Sequence, residues 1–358
     1  KNNRKWTIVT VIGIIISTAM ITAVFTLSAS FINMMQRFTI EDTGNYHSVF
    51  FNAKAKDIAY IRDDKYTDDI MVTRSVGYAK LENSQNRYKP YLYIEQYDDN
   101  SMKYFPIHLI SGRLPENDKE IVIPQHIETN GGVKFNLGDK LKLAIGKRKL
   151  PDGKILMQNE HLYYSDEKGA INEEFISEGE AEYTVVGIME RPGFESRLSP
   201  GYTVITYLDN KALLPDTEVD IYMLSKKLDN NIDDRVYNVA DKIGLDKSNV
   251  GLNIVLLRFY GIIENDEARN IVFIFSLITI IIIMAASVSL IYNAFAISVS
   301  ERVKQLGMLA SVGATKKQKC ESIYYEGLAV GIIGIPLGII SGLIGIGITI
   351  KLLEPMIN

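Results

Sequence analysis

Four histidines and one cysteine are the side chains of this 358-residue chain best suited to act as bases, nucleophiles or soft metal ligands near neutral pH. Their spacing supports none of these uses. His47, His108, His126 and His161 are scattered, with no i, i+4 pair to place two imidazoles on one helix face, and the reading is of isolated surface histidines. No H-E-x-x-H, G-x-S-x-G or C-x-x-C is present. A lone Cys320 excludes a disulfide framework and a thiolate metal centre, both of which need several cysteines. A phosphate loop, G-x-x-x-x-G-K-[ST], is also missing: the nearest glycine pair, Gly307 and Gly313, has the wrong spacing and no Lys after the second Gly. The chain is therefore expected not to be an enzyme, with no cofactor of its own.

The aromatics Tyr88, Tyr91, Tyr93, Tyr97 and Phe105 have two readings, as the lining of a groove for an amphipathic ligand or as the packed side of strands. Residues 37–269 hold 30 basic against 39 acidic residues, a balance that favours cationic ligands by long-range attraction or simply keeps the segment soluble.

The elements that must position these residues are set by three uncharged stretches, Trp6–Gln36, Asn270–Ser300 and Gly327–Ile350. Each exceeds the ~20 apolar residues that cross a bilayer as a helix, which excludes a soluble globular enzyme. Lys1, Arg4 and Lys5 precede the first stretch, and Arg302, Lys304, Lys316, Lys317 and Lys319 follow the second, so both flanks read as cytoplasmic. The resulting organisation is a cytoplasmic tip (1–5), a first transmembrane helix with a stalk (6–36), an extracellular domain (37–269), a second span (270–299), a cytoplasmic segment (300–326), a third span (327–353) and the start of a further segment (354–358). The first apolar run is too long for a signal-peptide core and reads as an anchor. With 31 residues it rises ~46 Å against ~30 Å of hydrocarbon, so the spare turns are expected to project outward.

No Asp, Glu, Lys, Arg or His lies inside the three stretches, which argues against an ion-coupled carrier working through them. Gly334, Gly338 and Gly342 recur every four residues on the third, leaving a bare helix face where a neighbouring backbone can approach. Pro336 is expected to kink that span. Ser17, Ser28, Ser287, Ser289 and Ser298 are expected to satisfy themselves on backbone carbonyls.

Within the extracellular domain, changing periodicity indicates α+β structure. Residues 46–51 and 70–81 read as strands around a short helix at 53–62, and 220–224 and 250–257 as extended segments around a helix at 231–243. These two β-α-β units make a membrane-proximal subdomain (37–103 and 216–269), flanking a distal, β-rich subdomain (104–215) with strands at 121–123, 140–144 and 183–188. Turn signals stand at Gly112–Pro115, Gly138-Asp139, Pro151-Asp152-Gly153 and Arg191-Pro192-Gly193.

The most informative stretch lies between the second and third spans. Val303, Leu306, Leu309, Ala310 and Val312 form one apolar face of a short helix that Gly313 can terminate. Such a helix lies along the inner membrane face or docks on a cytoplasmic partner. The run Glu301-Arg302-x-Lys304-Gln305-Leu306-Gly307-Met308-Leu309-x-x-Val312-Gly313-Ala314-Thr315-x-x-Gln318 resembles the signature of FtsX-like permeases, the membrane subunits of type VII ABC transporters. Gly112-Arg113-Leu114-Pro115, Glu120-Ile121-Val122-Ile123, Leu137-Gly138-Asp139-Lys140-Leu141 and Tyr183-Thr184-Val185-Val186-Gly187-Ile188 are similar to the MacB-like extracellular core.

That resemblance implies an α-helical transmembrane bundle carrying an extracellular domain with Porter and Sabre subdomains, and a plasma-membrane, multi-pass protein. It also implies permeases that dimerise with a second copy or a permease half. Glu301, Arg302, Lys304, Gln305, Leu306, Gly307, Met308, Leu309, Gly313, Ala314 and Thr315 would couple to a separate cytoplasmic ABC ATPase, which supplies ATP and Mg. Members of the family have four spans where three occur here, so a further span beyond Asn358 is expected. The implied activity is ATP-driven mechanotransmission acting on amphipathic substrates at the outer surface: antimicrobial peptides, antibiotics or lipid-linked molecules. Membrane lipid is a partner, nucleic acid is not. The alternatives are a membrane sensor with an outer ligand-binding domain, and an FtsX-type regulator of cell-wall hydrolases.

Overall fold

A computed structural model describes residues 2–163, 171–262, 271, 273–286, 288–289, 292, 307–308, 311, 313 and 315–357. The chain divides into two compact units, Met35–Glu264 and the combination of Lys1–Met34 with Asn265–Asn358.

The outer unit begins with the last turns of α1 (Asn2–Thr43) and is organised by one mixed sheet of eleven strands. Its first part has β1 (Ser48–Lys54), α2 (Ile58–Arg62) and β2 (Thr67–Lys80). Much later in the chain come β10 (Glu218–Ser225), α5 (Ile232–Ile243) and β11 (Val250–Leu252). The strands lie in the order β11-β1-β10-β2, with β10 antiparallel to both β1 and β2. Each β-α-β unit is thus split by a strand of the other, a ferredoxin-like arrangement. The helices cover one face because α5 presents Val236, Val239 and Ala240 at helical spacing to Phe50, Ile70, Val72 and Ile221. Gly244, at φ +71°, ends α5 in the left-handed conformation that glycine adopts without strain.

One expected strand is not one. The extended reading of 250–257 fails after Leu252, where Asn253 accepts a hydrogen bond from the Leu256 amide at 3.2 Å and starts α6 (Ile254–Phe259). Unbroken apolar residues suit a buried strand and a buried helix equally. Here the Asn cap decides, and it leaves Leu256 and Leu257 fully buried.

Between β2 and β10 the chain builds a second core. It contains β3 (Tyr91–Tyr97), α3 (Asp99–Tyr104), β4 (Leu109–Gly112), β5 (Glu120–Pro124), α4 (His126–Gly131), β6 (Lys140–Lys149), β7 (Ile155–Leu156), β8 (Glu174–Met189) and β9 (Gly201–Tyr207). Neighbours run β2-β3-β9-β5-β8-β6, and β6 pairs back onto β2 through Tyr78↔Gly146 and Ala79↔Ile145, so the strands close a barrel. Closure brings backbones so near that a Cβ on Gly77 would stand 2.7 Å from the Gly146 carbonyl oxygen, and Gly77 is itself at φ +129°. Alternate residues serve two cores, as the two-residue strand period requires. Leu92, Ile94, Ile121, Ile123, Val185 and Val204 fill the barrel. Val122, Ile205, Met71 and Tyr97 point the other way, onto Phe105 and Met189. The fourteen-residue β2 pairs with β10 along its first half and with β6 near its end, so the sheet runs without a break between the expected proximal and distal segments.

In the other unit, α1 is 42 residues long, α7 (Phe273–Ala286) is a shorter apolar helix, and α8 (Lys316–Ile357) runs 42 residues, continuing through Pro336. Thr10–Thr43 and Gly327–Leu352 are long and apolar enough to cross a membrane. Position 334 meets Ile14, 338 meets Thr18 and 342 meets Thr22, so residue numbers rise together and α1 and α8 are parallel.

Candidate functional site

Close approach of α1 and α8 depends on the glycine row. A Cβ built on Gly334 would lie 2.8 Å from Ile14 Cγ2, one on Gly338 2.5 Å from Thr18 Cβ, and one on Gly342 2.7 Å from the Ala19 carbonyl oxygen. Gly327, Gly345 and Gly347 of the same helix face open space. The row is therefore taken up inside the chain, against its own first helix. Ser17 and Ser28 return their hydroxyls to the carbonyls of Gly13 and Val24, at 2.7 and 2.9 Å, as expected of serines in apolar helices. Ser28 also shares a 2.7 Å hydrogen bond with Ser276, tying α1 to the segment of α7. Ser287 and Ser298 lie outside the described residues.

Of the residues assigned to coupling, Glu301, Arg302, Lys304, Gln305, Leu306, Leu309 and Ala314 lie outside the described residues. Gly307 and Met308 are helical, with Met308 61% exposed. Gly313 has φ +89°, a conformation suited to ending a helix. Thr315 has a role that the motif alone did not disclose. Its hydroxyl accepts from the Gln318 amide at 3.4 Å while the Gln318 side chain accepts from the Thr315 amide at 2.9 Å. This reciprocal capping box starts α8, and the T-x-x-Q spacing was the available signal.

The histidines are not all at the surface. His47 is buried, its Nδ1 accepts from the Ser225 amide at 2.9 Å, and burial pushes its pKa down to about 4 despite the opposing charge of Asp68. A ring so placed is a neutral acceptor that ties β1 to β10. His126 Nε2 stands 3.0 Å from Glu195 Oε1, within a buried node where Lys89 Nζ donates to the same oxygen at 2.7 Å and the Thr203 amide to Oε2 at 2.6 Å. Burial favours the neutral acid at Glu195, but the His126 and Lys89 contacts outweigh it and hold the carboxyl down to about 2. At Lys89 burial prevails and lowers its pKa. Only His108 and His161 are exposed. Among the described residues no group of three or more His, Cys, Asp or Glu is placed to hold a metal.

A second buried ion pair joins Arg148 to Glu173, with Nε and Nη2 donating to the two carboxylate oxygens at 2.7 and 2.8 Å and both side chains fully buried. Arg148 also donates to the carbonyls of Met157, Glu160 and His161, so it fastens the loop after β7 to the barrel.

Tyr93, Tyr97 and Phe105 line a cleft of about 620 Å³ on the outer unit, together with Tyr46, Phe194 and Tyr222. The rings meet edge to face, Tyr46 with Tyr222 at 4.8 Å and Phe105 with Tyr222 at 4.9 Å between centroids. Tyr91 instead packs with Tyr78 and Leu162 in a separate small core. Tyr88 lines another cleft, of about 680 Å³, with Lys89, His126 and Arg191. Three basic groups of that second cleft, Lys89, His126 and Arg191, contact Glu195, and Arg197 and His161 also line it. The packed reading holds for Tyr91, Tyr93, Tyr97 and Phe105, all buried in core clusters, and the last three also border the cleft of about 620 Å³.

Residues 7–242 match the family profile of the MacB-like periplasmic core domain, and residues 277–357 that of the FtsX-like permease C-terminal region. Solved structures similar to the chain include the extracellular domain of the ABC-type transporter YknZ from Gram-positive bacteria, at 9% identity and TM-score 0.34, covering 58% of this chain and 99% of that one. The periplasmic region of MacB from Actinobacillus actinomycetemcomitans is similar at 9% identity and TM-score 0.34, covering 59% and 90%. No curated protein matches the chain. With the first profile spanning more than half of its length and the second the helices that follow, the chain belongs to the MacB-like, FtsX-like family of ABC-transporter permeases.

Proposed function

We propose that the chain is the force-transmitting permease subunit of an ATP-driven ABC transporter, acting on amphipathic substrates such as antimicrobial peptides, antibiotics or lipid-linked molecules at the outer surface. The observation that carries this is the match to the FtsX-like permease region over 277–357, which contains the basic, amphipathic segment 301–315 between two apolar helices. A helix there has an apolar face to bury, and a groove on an ATPase buries it. Glu301, Arg302 and Lys304 set its register at the charged rim, and Leu306, Met308 and Leu309 insert. Spans without intramembrane charge suit transmission of movement better than passage of a substrate through their centre.

ATP and Mg belong to the partner, because a phosphate loop needs backbone amides and a Lys in a spacing this sequence lacks. A second permease copy, or a permease half, completes the assembly. The test is turnover in reconstituted membranes. The purified chain alone is expected to hydrolyse no ATP, and the chain with its ATPase to do so in response to substrate. Hydrolysis above background by the chain alone contradicts the reading.

A further inference from the structure

The aromatic cleft carries features that a packed core does not need. Four carboxylates, Asp42, Glu95, Glu195 and Asp220, line it; Glu195 is already engaged by Lys89, His126 and Arg191 from behind, and among the described residues no Lys, Arg or His belongs to the lining itself. Tyr97 donates to Glu95 Oε2 at 3.2 Å, Tyr93 also hydrogen-bonds the Glu95 carboxyl, and the Asn52 amide donates to Asp220 Oδ1 at 2.9 Å; a carboxylate accepts about four such bonds, so both keep spare acceptor capacity, and neither has a counter-ion from the lining. Burial, with the charge of Asp220 next, lifts the Glu95 carboxyl to about 7, the behaviour of an acid held without a cation.

Two further acceptors in the lining have no partner. Gln158 gives its amide N–H to the Gly201 carbonyl at 2.8 Å, which fixes the side chain and leaves its buried Oε1 unpaired. Ser199 is 1% exposed and its Oγ is likewise unpaired. Buried polar atoms of this kind call for a partner that the protein itself does not supply. The carboxylates and Gln158 Oε1 ask for a donor, the Ser199 hydroxyl can accept one as well, and the surrounding rings of Tyr46, Tyr97, Phe194 and Tyr222 present π faces and edges that attract cations and apolar bodies.

We propose that this cleft binds a primary ammonium or guanidinium group carried on an apolar body. Such a group brings three or five N–H donors for Glu95, Asp220, Gln158 and Ser199, while its apolar part lies against the rings. A quaternary ammonium has the charge but no N–H, and a neutral alcohol has a donor but no charge, so each meets half of the requirement. Asp42 and Thr43, which also line the cleft, are the last residues of α1, so a ligand here touches the end of the chain's first helix. The inference deepens the proposed function and rests on that reading only for the statement that the ligand is what the permease acts on.

The experiment is ligand-observed NMR on the full chain in nanodiscs, with empty nanodiscs as blank, using benzylammonium, benzamidinium, trimethylbenzylammonium and benzyl alcohol as probes. Benzylammonium and benzamidinium are expected to bind saturably, and benzyl alcohol at least tenfold more weakly. Glu95→Gln with Asp220→Asn should weaken benzylammonium at least tenfold, and the trimethylated probe should lose little from Ser199→Ala. Equal binding of the alcohol, an unchanged affinity in the double variant, or no saturable binding of either cation overturns the proposal. If the double variant does not fold, the comparison of the ammonium with the alcohol on the unaltered chain decides alone. No ATPase is present in the assay, so failure of the cleft and failure of coupling are read separately.

Discussion

Substituting Gly338 by Ala should separate α8 from α1. The added Cβ falls 2.5 Å from Thr18 Cβ and 2.8 Å from the Ile15 carbonyl oxygen, so the helices must part by about 1 Å to restore a carbon–carbon contact of about 3.5–4.0 Å. A gap of that size forfeits a quarter to a half of the dispersion energy of the contacts it opens, and Gly334 and Gly342 lie in the same seam. Overpacking of this kind costs about 1–3 kcal/mol. The matching control is Gly345→Ala on the same helix, where the Cβ enters open space and the change from Gly to Ala favours the helix by up to about 1 kcal/mol. Thermal unfolding of the full chain in detergent should therefore show Gly338→Ala melting several degrees below Gly345→Ala, with Gly338→Leu lower again. If Gly338→Ala melts with the control or above it, the seam between α1 and α8 is not the contact described.

Arg148→Met leaves the Glu173 carboxylate buried and unpaired, which should cost about 3–5 kcal/mol in chemical unfolding, while Arg148→Met with Glu173→Met should recover most of it. Glu95 has a folded-state pKa raised to about 7 from an ordinary 4.5, so its penalty is absent below about 4.5, grows as pH rises through 7 and is constant above. Glu95→Gln should accordingly stabilise the ligand-free chain at pH 8 by on the order of 2–3 kcal/mol and change nothing at pH 4, read from unfolding midpoints at the two pH values. Thr315→Ala removes half of the capping box and should cost about 1 kcal/mol of α8 stability, seen as faster hydrogen exchange in its first turn.

Local chemistry made several elements legible. The helix at 232–243 was readable because Val236, Val239 and Ala240 recur at helical spacing and Gly244 closes it, and the strand at 70–81 from its apolar and β-branched residues, although β2 begins three residues earlier, at Thr67. Pairing was not legible. The return of β6 to β2, which closes the barrel, rests on two contacts between segments some seventy residues apart, and nothing local encodes it. The same holds for the cleft: Tyr93, Tyr97 and Phe105 left groove and packed strand face both open, and the carboxylates around them come from β3, β10, the end of α1 and the segment before β9, with the unpaired polar atoms on two loops. The buried pair Arg148–Glu173 hid among ordinary surface-type charges for that reason too. His47 was misjudged because burial of a lone imidazole depends on a partner, the Ser225 amide, that is distant in sequence.

The central claim, that residues 301–315 couple this permease to an ATPase, is tested most directly by Leu306→Asp with Leu309→Asp. Two carboxylates on the apolar face would have to be buried without partners, which no groove tolerates cheaply. Copurification with the ATPase and substrate-stimulated ATP turnover are measured for both chains, and benzylammonium binding serves as the check that the outer unit is folded. Expected is loss of copurification and of stimulated turnover with unaltered binding at the cleft. A doubly substituted chain that still copurifies with its ATPase and turns over normally would contradict the coupling role and reduce this segment to a connector on the membrane surface.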